Sequence, residues 1–101
     1  MASFNEAFDK FEIWKNSHTP LKLTSVTKDG VVERLRGEIS GIDFQRGVIA
    51  FTDTASRSLH LYTLREFSFS IGKVSIEAEL RGDVVTLEEV VRITKWRANL
   101  T

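Results

Sequence analysis

Along the first part of the chain the apolar positions recur at three- and four-residue steps. Phe4, Ala7, Phe8, Phe11 and Trp14 therefore share one stripe of an amphipathic helix. Ser3 and Glu6 have the spacing of a capping box, in which a hydroxyl and a carboxylate satisfy orphan amides of the first turn. Lys15 suits the carboxyl end of the helix dipole, and Pro20 biases Thr19 away from helical geometry. The spacing predicts a helix from Ser3 to about Asn16 that stops by His18. Four large aromatics are more than a surface helix exposes, so the stripe is expected to cap the open end of a barrel in its own chain, with a neighbouring chain as the alternative.

After Pro20 the period drops to two. Leu21, Leu23 and Ser25 alternate with Lys22, Thr24 and Val26, and Asp29-Gly30 supplies a turn into a second strand from Val31 to Ile42. On that strand Leu35, Gly37, Ile39 and Gly41 share one face, and Arg34, Arg36, Glu38 and Ser40 the other. Two glycines on the inner face point to a strongly bent strand, since side chains there would crowd one another. A polar turn from Asp43 to Gly47 leads to Val48-Ile49-Ala50-Phe51. A loop of small residues from Asp53 to Ser58 leads to strands Leu59–Leu64 and Phe67–Ile71. Beyond Gly72-Lys73, Val74, Ile76, Ala78 and Leu80 alternate again and turn at Gly82-Asp83 into Val84–Leu87. Thr86 with Glu89 has capping-box spacing, whereas the β-branched residues favour a strand; the expectation is strand to about Leu87 and helix afterwards through Trp96.

Composition narrows the class. A chain of 101 residues with 42% apolar and 28% charged residues has the makings of one folded domain. Its 14 basic and 14 acidic side chains cancel, so the molecule as a whole lacks the positive field that favours nonspecific nucleic-acid binding. The absence of cysteine removes disulfides, thiol nucleophiles and thiolate metal sites, and suits a cytoplasmic location. No basic segment with an apolar run opens the chain and no stretch approaches the length of a membrane span, so neither a signal peptide nor a membrane partner is expected.

Candidate chemistry is sparse. His18 and His60 lie on different elements without ligand spacing, so no metal and no cofactor are expected. No Gly-x-Ser-x-Gly elbow and no phosphate-binding glycine loop occur. Glu88-Glu89 reads as acid at a helix start, and Arg81-Gly82-Asp83 as a hairpin turn. Arg34 and Arg36 share a polar strand face with room for a modest basic patch with Lys22 or Arg57, diluted by Glu38.

The stretch Leu35-Arg36-Gly37-Glu38-Ile39-Ser40-Gly41-Ile42-Asp43, in the order helix, turn, five short strands, resembles the Sm-like (LSm/Hfq-type) family of small β-barrels. The likeness runs from Phe4 to Ile71 in element order. Hfq-type members carry an aromatic followed by Lys-His after the fourth strand, where this chain has Tyr62-Thr63-Leu64-Arg65. Other members use an apolar-Arg-Gly-Asp/Asn turn, matched by Leu80-Arg81-Gly82-Asp83, but that placement makes Leu59–Ile71 an insertion, and the first placement is preferred. The resemblance implies a ring of six or seven copies joined by strand pairing, with single-stranded RNA near the pore. By position Phe44, Gln45, Arg46, Tyr62 and Arg65 would line that pore, the aromatics stacking on bases and the arginines meeting phosphate or base edges. Three of them have an alternative role: Tyr62 as a core or interface aromatic, Arg46 and Arg65 as solvated groups.

The resulting expectation is a mainly β, SH3/Sm-like barrel of five strands over residues 20–71, with an N-terminal helix over 4–18 and an extension over 72–101 that forms a hairpin and a short helix. Its function is expected to be non-catalytic, either oligomeric RNA binding or a protein-interaction and self-assembly module without nucleic acid.

Overall fold

The computed structural model describes residues 2–90. One helix, α1 (Phe4–Asn16), precedes seven strands: β1 (Leu21–Val26), β2 (Val32–Asp43), β3 (Val48–Asp53), β4 (Leu59–Thr63), β5 (Ser68–Ile71), β6 (Ser75–Leu80) and β7 (Asp83–Glu89). All pair antiparallel in a single sheet of order β4-β3-β2-β1-β7-β6-β5.

The helix starts where its caps dictate. Ser3 is the N-cap, its hydroxyl accepts from the Glu6 amide at 3.1 Å, and the Glu6 carboxylate accepts from the Ser3 amide at 3.1 Å. The hydrogen bond from the Ser3 backbone holds the Glu6 carboxyl below its ordinary pKa. Ala7, Phe8, Phe11 and Trp14 are buried, so the aromatic stripe is consumed within the chain. It packs across β2 and β5 against an inner sheet face of Leu21, Leu23, Ile39, Ile49, Phe51, Phe69, Ile76, Ala78, Val85 and Leu87. The rings meet mostly edge to face, with Phe8 and Phe11 at 5.1 Å between centroids, a geometry that matches the ring quadrupoles. The far end of the helix is tied to the sheet by the Trp14 indole N–H, which donates to the Glu89 carboxylate at 2.9 Å.

The long strand β2 is bent, though not by two inward glycines. Gly37 is buried, and a Cβ there would collide with the Thr52 carbonyl oxygen on β3. At Ser40 the pairing slips: Ile39 faces Phe51, but Gly41 faces Ala50 and Ile42 faces Ile49, leaving Ser40 as the extra residue of a β-bulge. The slip reverses the alternation, so Ile42 takes the core side and Gly41 moves to the outer face. A Cβ at Gly41 would meet only the Ala50 methyl, at an ordinary 3.5 Å.

The bend curls the whole sheet. Laid flat, seven strands would separate β4 from β5 by about 29 Å. The chain nevertheless joins these two edge strands through residues 64–67, which span at most about 18 Å from Thr63 to Ser68. A second contact agrees. Tyr62 lies opposite Ile49, which lies opposite Ile42, yet its hydroxyl donates to the Glu33 carboxylate at 3.2 Å. Glu33 is about 30 Å further along β2 if that strand were straight. The result is a barrel-like curl that is not closed, with β4 and β5 as its two edges.

Two expectations are corrected here. The sheet has seven strands rather than five, and residues 72–90 are not an appendage. Strand β7 lies against β1 in the register Leu21↔Glu89 to Val26↔Val84, because Val85 and Leu87 continue the buried face begun by Leu21 and Leu23. The β6–β7 hairpin forms as expected, with its turn one residue early at Arg81-Gly82, both at positive φ. Thr86 and Glu89 belong to β7 rather than to a capping box. The helix expected through Trp96 lies outside the described residues.

The two glycines predict opposite outcomes in urea unfolding. Gly37→Ala should lose about 3 kcal/mol, since backbone and not a flexible side chain must give way. Gly41→Ala should stay within about 0.5 kcal/mol of the original.

Candidate functional site

The residues singled out from the sequence lie on two turns that the fold brings together. In the β2–β3 turn, Asp43 Oδ1 accepts from the Arg46 amide at 3.2 Å and the Phe44 carbonyl accepts from the Gly47 amide at 3.3 Å. Gly47 has φ +68 with the Arg65 backbone directly against it, a conformation and an approach that glycine alone meets without strain. Its carbonyl accepts from the Leu64 amide at 2.7 Å, which docks this turn against the β4–β5 connection.

Within that junction the Phe44 and Arg65 side chains are engaged by the fold. Phe44 lies edge-on to Phe4 and Phe8, at 5.3 and 6.0 Å between centroids. Arg65 places its guanidinium 5.3 Å from the centre of the Phe4 ring and donates to the Gln45 carbonyl at 2.8 Å. Arg46 reaches outward, its side chain 83% exposed, with Nε 3.7 Å from Asp43 Oδ2. Arg46, Thr63, Arg65, Glu66, Phe67 and Leu80 line a shallow cleft of about 260 Å³. Four of the five predicted residues are thus gathered at one place. Tyr62 is turned to the inner face of β4 instead, and burial, with a smaller effect of the Glu33 charge, pushes its pKa up to about 12.

Among the described residues no three His, Asp or Glu side chains gather as metal ligands, and every buried side-chain polar atom has a partner. Ser58 Oγ lies 3.0 Å from His60 Nε2, but this pair belongs to a chain through Ser56 to Asp53. Asp53 also accepts from the Ala55 amide at 2.9 Å, so the network is the lock of an exposed turn.

The sequence reading missed the two strand edges. Hydrogen bonds from Asp53 N to Ser58 O and from Leu64 N to Gly47 O fix the alternation along β4. Ser58, His60, Tyr62 and Leu64 bond to β3, whereas Leu59, Leu61 and Thr63 present their amides and carbonyls outward. Leu59 and Leu61 are also 61% and 64% exposed. On β5 the same logic, from Gly72 N to Ser75 O, leaves Phe69 and Ile71 facing the free edge. One outward group there is engaged: the Phe69 carbonyl accepts from the Ala2 amide at 3.3 Å in an isolated antiparallel bridge. The signal that could have found these edges is an absence, for neither Leu59–Thr63 nor Ser68–Ile71 contains a charge or a proline, the usual guards of an edge strand.

No protein-family model, characterised protein or solved structure matches this chain.

Tyr62 is the only tyrosine, so its phenolate absorbance reports a single group. Its midpoint should stand near pH 12 in the folded protein and fall part of the way toward 10 in Glu33→Gln, burial being the larger cause. A raised phenol pKa favours the folded state fully below about pH 10. This contribution should decline as pH rises from there through about 12, because the unfolded chain gives up its proton first.

Proposed function

We propose that this chain is a non-catalytic, small-barrel interaction module that works by strand addition at its open sheet edges, with self-assembly as the direct outcome. The observation that carries this reading is the pair of unguarded edges, β4 and β5, at the two ends of one antiparallel sheet. The outward amides and carbonyls of one copy's edge can pair with those of another's, and the exposed Leu59 and Leu61 add apolar surface beside the seam. Because the edges differ, their pairing is heterologous and builds either a closed ring or an open chain. An Sm-like ring of six or seven copies is the closed form of the same idea.

A second reading, single-stranded RNA binding at the junction of the two turns, is favoured by the exposed Arg46 guanidinium beside Arg65. It is the weaker one, because Phe44 and Arg65 already serve internal contacts.

Light scattering on a size-exclusion column at two concentrations tests the first reading. The native mass should exceed one chain and rise with concentration. Leu61→Pro and Leu61→Lys should restore the single-chain mass while leaving the chain folded, since the Leu61 amide makes no bond to β3. A single-chain mass at every concentration contradicts the proposal. If RNA is the partner, binding of a short oligonucleotide should fall steeply with salt and weaken about tenfold in Arg46→Ala; no binding at low salt removes that reading.

A further inference from the structure

The outer face beside the β5 edge is asymmetric in a way the fold does not require. Ser68 and Ser70 point outward on β5, and directly opposite them on β6 stand Glu79 and Glu77. Both glutamates are exposed, and among the described residues the side-chain ion pairs are His18 with Glu38 and Arg46 with Asp43, so neither carboxylate has a cation of those residues within 4.0 Å. Ala2, Ser68, Phe69, Ser70, Ile71, Glu77 and Glu79 line an open groove of about 470 Å³ along this edge.

We infer that the β5 edge is a docking site for an extended, basic segment of another protein, which adds as an antiparallel strand and is read by Glu77 and Glu79. This rests on the strand-addition reading above and names a partner that competes with the β4 edge of a second copy for β5. The edge accepts an extended segment in antiparallel fashion, for this chain's own Ala2 bridges Phe69 with its amide held by the Phe69 carbonyl. A ligand strand therefore displaces Ala2 and pairs with the outward groups of Phe69 and Ile71. Its backbone would lie about 4.8 Å from β5 and about 10 Å from β6. Serines at the two intervening positions leave the space above β5 unfilled, so lysine or arginine stems on alternate ligand residues can cross it to the two carboxylates. The two glutamates are themselves two residues apart on one strand, which matches the two-residue side-chain period of an incoming strand. Main-chain pairing supplies the affinity and the alternate cations supply the choice of partner.

Fluorescence anisotropy with the full chain tests this, using a short labelled peptide that alternates lysine with valine. Its controls are a glutamate-for-lysine counterpart and a lysine peptide N-methylated at alternate amides. The lysine peptide should bind, more weakly as salt is added. Both control peptides should bind about tenfold less well or not at all, and Glu77→Lys with Glu79→Lys should reverse the preference between lysine and glutamate peptides. Both substitutions are at exposed positions, and an unchanged unfolding midpoint verifies that the sheet is intact. Equal binding of the lysine and glutamate peptides, indifference to N-methylation, or no binding of the lysine peptide overturns the inference. In that event a native mass that still responds to Leu61→Lys leaves strand addition standing without a basic partner, and a mass that does not respond removes both.

Discussion

The approach of the β2 backbone at Gly37 to the Thr52 carbonyl, followed three residues later by the bulge at Ser40, is the constraint on which the rest of the molecule depends. It lets one twelve-residue strand pair with β1 along its first half and β3 along its second. Because those halves point in different directions, the sheet cannot be flat. Glu33 comes within reach of Tyr62, and the two edge strands come close enough for a four-residue connection. The concave face so produced must be filled, and the aromatic stripe of α1 fills it.

That filling explains why the turns near the helix start are poor places to look for free binding groups. Phe44 extends the ring cluster beyond the sheet, and Arg65 braces it by covering the Phe4 face while holding the Gln45 carbonyl. A guanidinium stacked on a ring and hydrogen-bonded to backbone must give up both contacts before it meets a ligand. The edges are different. Apart from the Phe69 carbonyl, which holds the Ala2 amide, their outward amides and carbonyls have no partner among the described residues, and neither strand carries the charges that would discourage one.

Much of the fold was legible because local signals agreed with the global arrangement. The capping box, the three- and four-residue aromatic spacing and the alternation in β1, β5 and β6 led to the right elements. The bulge was not legible, because Ile39, Gly41 and Ile42 fit a regular strand equally well until the partner strand fixes the register. The place of β7 was hidden for a related reason: pairing with β1, some sixty residues away in sequence, leaves no local trace. At the candidate site, the sequence brought out residues of suitable chemistry and most of them do converge. Their occupation by Phe4, Phe8 and Gln45 is a tertiary fact. The open edges left only a negative trace, the lack of lysine, glutamate or proline in two short strands.

The central claim is that the outward backbone groups of the edges are meant for another strand, and amide hydrogen exchange followed residue by residue at increasing protein concentration tests it most directly. His60 and Tyr62 should be protected throughout, being bonded to β3. The Leu59, Leu61 and Thr63 amides should exchange freely in dilute solution and become protected as concentration rises. Free exchange of those three amides at every concentration, with His60 and Tyr62 protected, would contradict the account.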